Sequence, residues 1–310
     1  MLESTALSES LKKQSIRFIV NPYSGVSRKK NIALPIRKYL DHQRFDYEIC
    51  KTEGPGHATV LAREAADAGK DIVVAVGGDG SVNEVAKGLM GTDVSLGILP
   101  GGSGNGFAMH LGWGRNIKKA IQLLNHTTKI RIDTCRMNED FYVNLAGIGF
   151  DAWVARQLKQ SGVRGFFSYL RWALKGALGY RARKYQLEID GQQIERECLL
   201  VEVANAPMFG YHFEIAPKAK YDDGLLEIIL IKKAPKLRYL LSLWRFFNGS
   251  AHHSSLVERY TAKTLRVCSE QTMDIHTDGE GFQKASCLNF SVNPLSLNIL
   301  IPEKGMVKST

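Results

Sequence analysis

The chain has 310 residues, 41 Lys and Arg against 31 Asp and Glu, and a formal net charge of +10. The length favours two domains, and a 44% hydrophobic content is enough for proper cores, which excludes a disordered chain. No apolar run approaches the roughly 20 residues needed to span a bilayer, and the first fifteen residues are polar with no signal-peptide core. The basic balance fits partners that carry phosphate: nucleotide, nucleic acid or an anionic membrane. Cys50, Cys135, Cys198, Cys268 and Cys287 are scattered and form no Cys-x-x-Cys. That pattern argues against a zinc site and a disulfide framework, and fits a reducing cytoplasm.

Residues 1–14 read as a frayed leader. Residues 16–20 form a short apolar strand that runs into Asn21-Pro22-Tyr23-Ser24-Gly25, followed by Arg28, Lys29 and Lys30. Such a strand, turn and basic helix start accommodates phosphate, although Asn-Pro and Ser-Gly pairs also occur at ordinary turns. A helix is expected to about Leu40, a strand over 45–51, a turn at Thr52-Glu53-Gly54-Pro55-Gly56-His57, and a helix carrying Ala58, Leu61, Ala62, Ala65 and Ala66.

The β-branched run 72–76 reads as a buried parallel strand. It stops at Gly77-Gly78-Asp79-Gly80, where glycines let the backbone turn sharply and approach a ligand with no Cβ in the way. The helix that follows has Ser81 as a cap and Val82, Val85, Ala86 and Leu89 as its apolar face. Free N–H groups and the positive end of the helix dipole suit an anion there. A carboxylate at Asp79 is repulsive beside a phosphate unless a cation intervenes, which points to Mg²⁺. The stretch is neither Gly-x-Gly-x-x-Gly nor Gly-Lys-Ser/Thr, so it is not a dinucleotide fingerprint or a Walker A loop. A strand over 95–99 then ends in Pro100-Gly101-Gly102-Ser103-Gly104-Asn105-Gly106, ahead of helices at 107–112 and 116–125. Two glycine turns at consecutive ends of parallel strands lie side by side. The alternation predicts a doubly wound α/β sheet with right-handed crossovers and ligands at the carboxyl ends of its strands.

From about residue 135 the pattern changes to short alternating runs at 141–145, 185–190, 197–204, 225–231, 263–268, 273–277, 288–291 and 297–301. Turn residues such as Asp190-Gly191, Asp223-Gly224 and Asp278-Gly279 separate them. This is antiparallel β patterning, interrupted by helices near 162–180 and 235–248. The expected organisation is a nucleotide-binding α/β domain over 15–134 and a β-rich domain over 135–295.

Asn-Pro-x-Ser-Gly, Gly-Gly-Asp-Gly-Ser-x-Asn-Glu and Pro-Gly-Gly-Ser-Gly-Asn, in that order, resemble the diacylglycerol kinase catalytic family, which includes bacterial soluble lipid kinases and the sphingosine and ceramide kinases. The likeness continues through Asp133, Asn144-Leu-Ala-Gly-Ile-Gly-Phe-Asp151, Asp222-Asp223-Gly224-Leu225 and Asp278-Gly279-Glu280, and covers roughly residues 15–302. The resemblance implies phosphoryl transfer from ATP to a lipid hydroxyl, with residues 135–295 as the lipid-substrate domain and 296–310 returning to the first. It implies a nucleotide cradle of Asn21, Pro22, Tyr23, Ser24, Gly25, Thr52, Gly78, Asp79, Gly80, Ser81, Val82, Asn83, Glu84 and Ser103. Asp79 would position the nucleotide's Mg²⁺, and Glu280 would be the general base for the acceptor hydroxyl. Asp223 would hold a second, structural Mg²⁺ with the backbone carbonyls of Lys220 and Leu225, and Asp133 would join that metal to the active site through a charge network.

Many bacterial members have Asp after the glycine-loop Asn and Arg three residues later. This chain has Gly106 and Met109, closer to the sphingosine and ceramide kinase loop, which leaves the lipid's identity open. Asp-Gly-Glu alone also reads as a type I′ hairpin turn. His110, His252, His253 and His276 are not at metal-ligand spacing and read as surface or packed histidines. A kinase of a soluble substrate such as NAD, and a non-catalytic lipid- or nucleotide-binding regulator, are the alternatives. The expected partners are a lipid substrate and an anionic membrane, not nucleic acid, and a homodimer stays open. The expected location is cytoplasmic and peripheral at the membrane. Residues 162–185 hold Arg164, Arg171, Lys175, Arg181, Arg183 and Lys184 with no acid. Their Phe167, Leu170, Leu174 and Leu178 form one helical stripe, a composition suited to a membrane surface.

Overall fold

The computed structural model describes residues 13–25, 31–102, 104–161, 166–210, 213–242 and 244–303. Residues 1–12 of the expected leader, Arg28, Lys29, Lys30, Ser103 and Arg164 lie outside the described residues, while Gln14, counted in that leader, opens the first strand. The first half runs β1 (Gln14–Val20), α1 (Ala33–Tyr39), β2 (Phe45–Lys51), α2 (His57–Asp67), β3 (Ile72–Gly77), α3 (Asp79–Leu89), β4 (Ser95–Pro100), α4 (Gly106–His110) and α5 (Ile117–Leu124). Strands β2-β1-β3-β4 pair in parallel in that order. Every residue of β3 and β4 is buried, as a strand covered on both faces requires. Helices α2 and α3 approach closely because residue 88 is glycine: a Cβ there would sit 2.5 Å from the Thr59 carbonyl oxygen. Helix α5 starts on Asn116, whose Oδ1 accepts from the amides of Lys118 and Lys119, and buries Ala120, Ile121 and Leu124.

The second half contains β5 (Thr127–Met137), β6 (Asp140–Tyr142), β7 (Leu145–Gly149), α6 (Phe150–Ser161), α7 (Phe166–Gly179), β8 (Arg183–Ile189), β9 (Gln192–Ala204), β10 (Met208–Gly210) and β11 (Phe213–Glu214). It continues with β12 (Leu226–Lys232), α8 (Lys236–Ser242), α9 (Trp244–Phe247), a single 3₁₀ turn, β13 (Val257–Ala262), β14 (Thr264–Thr277) and β15 (Glu280–Pro302). Its pairings among β7, β8, β9, β12, β13 and β14 are antiparallel. The sheet is buried on two faces. Val201, Val203, Ile228 and Leu230 enter one apolar cluster, while Leu200, Ala204, Ile229 and Ile231 enter another, as alternation along β9 and β12 dictates. The α/β first half and β-rich second half agree with the sequence pattern.

One strand joins the halves. β15 pairs antiparallel with β14 near its start and with β5 from Phe290 onward, and its Ile299 pairs in parallel with Leu96 of β4. Its register shifts between Asn293 and Leu297, where Leu295 takes a φ of 45°. Asp133, fully buried on β5, holds this bend. Its Oδ1 accepts from the Leu295 amide at 2.7 Å and its Oδ2 from the Gly224 amide at 2.7 Å. The runs expected at 288–291 and 297–301 are thus one bent strand. Helix α6 is a difference from the sequence reading, in which the motif ends at Asp151 and the first helix of the second half starts near 162.

Cys268 and Cys287 face each other across β14 and β15 and form a disulfide. This corrects the expectation of unpaired thiols, for strand register, not spacing in sequence, brings them together. Cys50, Cys135 and Cys198 are free. No helix among the described residues is long and apolar enough to cross a membrane.

Candidate active site

The carboxyl ends of β1, β3 and β4 meet because Val20 pairs with Val76 and Gly77 with Pro100. The two glycine turns touch through their backbones. The Gly101 amide donates to the Gly77 carbonyl at 2.6 Å, and a Cβ on Gly102 would stand 2.6 Å from the Gly78 Cα. Asn105, at φ 52°, closes the second turn with its own side chain: Oδ1 accepts from the Gly102 amide and Nδ2 donates to the Gly102 carbonyl, both at 2.8 Å. Asn21 closes the first loop. Its Oδ1 accepts from the Tyr23 amide at 2.9 Å and its Nδ2 donates to Ser81 Oγ at 3.0 Å. The Ser24 hydroxyl donates to the Asn21 carbonyl at 2.9 Å, and the Thr52 amide to the Val20 carbonyl at 2.9 Å. Asn21, Ser24, Thr52 and Ser81 therefore gather at the strand ends, with exposed Tyr23 beside them.

Helix α3 begins here, with Gly78 at its N-cap and its first internal bonds made by the Ser81 and Val82 amides to the Gly78 carbonyl. The amides of Asp79 and Gly80 precede those bonds and suit an anion. Val82 is buried, so it offers only its backbone. Asp79 also organises the neighbouring turn: its two oxygens accept from the Gly106 and Phe107 amides, each at 3.2 Å. Part of Asp79 touches solvent, yet the protein around it is dense enough that burial pushes its carboxyl up to about 6. The Asp278 charge adds to this, and the Phe107 and Gly106 amides oppose it.

Asn83 and Glu84 use their side chains elsewhere. Glu84 Oε2 accepts from the Ala58 amide at 3.2 Å, at the start of α2. Asn83 Nδ2 donates to the Phe141 carbonyl at 3.1 Å and to Asp278 Oδ2 at 2.5 Å. Asp278 is the residue that sequence reasoning quoted in a motif without giving it a part. Its carboxylate accepts from the amides of Val143, Asn144 and Leu145 at 3.1, 3.1 and 2.9 Å. Burial raises its carboxyl above the usual range, against the pull of these donors.

Asp278 and Gly279 form the tip of the β14–β15 hairpin, with φ of 49° and 76° and Thr277 paired to Glu280. Two positive φ values are those of a type I′ turn. The Glu280 side chain lies outside the described residues. Behind the turn, His276 is fully buried. Its Nδ1 accepts from the Gly279 amide at 3.2 Å, and its Nε2 lies 2.7 Å from Asp151 Oδ2. An amide donating to Nδ1 fixes the proton on Nε2, which then donates to Asp151. Asp151, Glu202 and His276 also bring three ligand-type atoms within 4.8 Å of one another, but an Nε2 that carries a proton cannot ligate a metal. Glu202 is fully buried, and burial together with the Asp151 charge pushes its carboxyl well above the carboxylate range. Gly147 makes room for the chain, since a Cβ there would lie 1.7 Å from Asp151 Oδ2. The histidine is packed, as expected, yet it is tied to the Asp-Gly-Glu turn, a link no spacing in sequence reveals.

Asp223 is exposed and its Oδ1 accepts from the Leu225 amide at 3.1 Å. Lys220 is exposed in the same loop. The adjoining Gly224 amide binds Asp133, so this loop is tied to the bend of β15.

The sequence matches the family model of the diacylglycerol kinase catalytic domain over residues 15–137 and that of the YegS C-terminal NAD kinase beta sandwich-like domain over 144–301. A YegS-like lipid kinase of Chromohalobacter salexigens is 32% identical over 231 residues, 73% of this chain and 74% of that protein. A diacylglycerol kinase of Bacillus subtilis is 28% identical over 271 residues, 85% and 89% of the two chains. A diacylglycerol kinase crystal structure from Bacillus anthracis shares the fold, with a TM-score of 0.71 and 23% identity over 96% of this chain and 99% of that one. The chain belongs to the diacylglycerol kinase catalytic-domain family.

The chain through His276 yields a test. His276→Leu leaves the Gly279 amide and the Asp151–Glu202 pair without their partner, and is expected to lower stability by about 2–4 kcal/mol. His276→Gln, which keeps a donor and an acceptor, should recover at least half of that. Urea unfolding midpoints of the two variants decide it; equal losses would mean that only ring volume matters.

Proposed function

We propose that the protein is a lipid kinase that transfers the γ-phosphoryl group of ATP to the hydroxyl of diacylglycerol, a sphingoid base or a related lipid, at the surface of an anionic membrane. The observation that carries this reading is the bond from Asn83 to Asp278. It fixes the Asp-Gly-Glu turn of the second half against the helix that starts at the first glycine turn. The names of the two relatives, a lipid kinase and a diacylglycerol kinase, support the same reaction.

In this reading the backbone of the two glycine turns, with Ser103, receives the phosphates, and Asn21, Pro22, Tyr23, Ser24, Gly25 and Thr52 form the wall beside them. The acceptor oxygen attacks the γ-phosphorus, its proton passes to the Glu280 carboxylate, and the bond to the ADP oxygen breaks. Mg²⁺, when bound, offsets phosphate charge. The donors suit a hard cation: Asp79 offers carboxylate oxygens beside the turns, and Asp223 is an exposed carboxylate in one loop with the carbonyls of Lys220 and Leu225. Exposed Arg171 and Lys175 on α7 support contact with anionic lipid.

The direct test is transfer of labelled γ-phosphate into a total lipid extract, with mass identification of the product. A labelled lipid is expected; label only in water-soluble products would replace the lipid by a soluble acceptor. Glu280→Gln should lower turnover by about 10²–10⁴ while nucleotide affinity holds. Turnover within a few-fold of the parent would remove Glu280 from the reaction.

Asp79 gives a pH signature. Burial pushes its carboxyl up to about 6 in the folded protein, from an ordinary 3.8. The unfolded chain therefore ionises first, and this group's contribution to stability falls between those two values as pH rises and is constant above them. Mg²⁺ requires the ionised form, so affinity for Mg-nucleotide should climb from about pH 5 to about pH 7. Asp79→Asn should bind weakly with a flatter profile, and calorimetry on both proteins cancels the nucleotide's own protonation. Matching profiles would detach Asp79 from the cation. Asp223→Ala should instead raise the Mg²⁺ concentration needed for half-maximal turnover, and an unchanged requirement would rule out its metal.

A further inference from the structure

Helix α8 carries its apolar stripe on the outside. Leu237 and Leu241 stand four apart on one side of α8, and Trp244 opens α9 close by. They are 66%, 65% and 55% exposed. Hydrogen bonds fix the opposite side: the Tyr239 hydroxyl donates to the Lys232 carbonyl at 3.0 Å and accepts from the Ala234 amide at 2.8 Å, while its ring packs against the cluster containing Ile229 and Ile231. The stripe therefore cannot roll inward without breaking both bonds. Large apolar side chains grouped in water at such exposure mark a surface that meets something apolar.

Helix α7 packs against α8 and extends the surface. Gly176 fixes its inner side, since a Cβ there would lie 2.4 Å from the Trp153 ring. Arg171, Leu174 and Lys175 are exposed on it. Lys175 lies 4.8 Å from the centre of the Trp172 ring, and Arg245 5.1 Å from that of Trp244. Residues 152–187 and 228–257 contain no Asp or Glu. Among the described residues, Arg171, Lys175, Arg238 and Arg245 are in no ion pair.

We propose that the α8–α9 stripe is a membrane anchor, with Leu237, Leu241 and Trp244 entering the interface of an anionic bilayer and Arg171, Lys175, Arg238 and Arg245 resting at its phosphate level. Aliphatic side chains flanked by cations, with a tryptophan at the edge, match the depth profile of a bilayer interface. A second copy of the chain is a poor occupant: a two-fold contact would set Arg171, Lys175, Arg238 and Arg245 against their own copies, cation facing cation. The anchor is also placed for use. α9 runs against β11, and β11 pairs with β10, which lies against α4. The first amides of α4 hold Asp79. The anchor thus stands within two elements of the glycine turns.

The proposal deepens the lipid-kinase reading and rests on it for the choice of a bilayer as the partner. Its test uses neither nucleotide nor turnover, so the two fail separately. Co-sedimentation with phosphatidylcholine vesicles, with and without phosphatidylglycerol, is measured for the parent and for Leu237→Ser/Leu241→Ser/Trp244→Ser. The parent is expected to bind the anionic vesicles, and the triple variant at least ~100-fold less. Arg171→Gln, Lys175→Gln and Arg238→Gln should each weaken binding roughly fivefold at low salt and less at high salt. On the parent, lipids brominated in their acyl chains should quench indole emission, and Trp244→Phe should remove most of that quenching. The fluorescence measurement decides the matter even if the triple variant fails to fold. Parent-like binding by a folded triple variant, or quenching unchanged in Trp244→Phe, would overturn the anchor. So would a parent dimer in analytical ultracentrifugation that the triple variant turns to monomer while vesicle binding stays the same.

Discussion

The Asp278 carboxylate is the point on which the two halves of the molecule agree. Three consecutive amides, from Val143 to Leu145, aim at it from the entry to the second half, and Asn83 reaches it from the helix of the first glycine turn. A carboxylate surrounded by donors is fixed in direction as well as position. The turn that carries Glu280 therefore has little freedom to move relative to α3. Phosphoryl transfer demands that constraint, because an attacking oxygen must line up with a phosphorus held by different elements.

The same device recurs at a second place. Asp133 binds the amides of Gly224 and Leu295 and so fixes the bend through which β15 passes from one half to the other. β15 then supplies both the Asp-Gly-Glu turn's partner strand and a neighbour for β4. One strand thus ties the glycine turn that follows β4 to the hairpin tip that opposes it. These buried aspartates act beside an apolar core that the halves share, in which Phe141, Val143, Ala206 and Leu297 join residues of the first sheet.

Much of this was legible in the sequence, and the reason is local. β3 and β4 announce themselves as apolar runs that lead into glycine turns, and Gly78, Gly101 and Gly102 are placed where a Cβ would press on the neighbouring turn. The expectation that the two turns lie side by side rests on strand parallelism alone. Other features depend on long-range register. Cys268 meets Cys287 only because β14 and β15 pair as they do. Asp278 contacts residues far away in the chain, and Asn83 and Glu84, counted in the nucleotide cradle on resemblance, engage Asp278 and the start of α2 instead. His276 lacked a spacing signal because its partners, Asp151 and Glu202, come from two other elements. The outward stripe on α8 was hidden for a different reason: an apolar period tells which residues share a face, but not whether that face meets protein or water.

The site collects acids in a basic protein, and this sets its resting state. Asp79 and Asp278 repel each other and both carboxyls are raised, while Glu202 is raised further by burial beside Asp151. Without a cation, the carboxylate at the glycine turns is poised to take up a proton near neutral pH, and the backbone amides around it are only part of what it needs. A cation arriving with phosphate supplies the missing charge and favours the ionised carboxylate. In the proposed reading, binding the metal and binding the anion would reinforce each other through Asp79, since each would remove a repulsion that opposes the other. In the proposed lipid-kinase reading the acids around the site would make the cation a condition for holding phosphate at these turns, while α7, α8 and α9 present Arg171, Lys175, Arg238 and Arg245 elsewhere on the molecule.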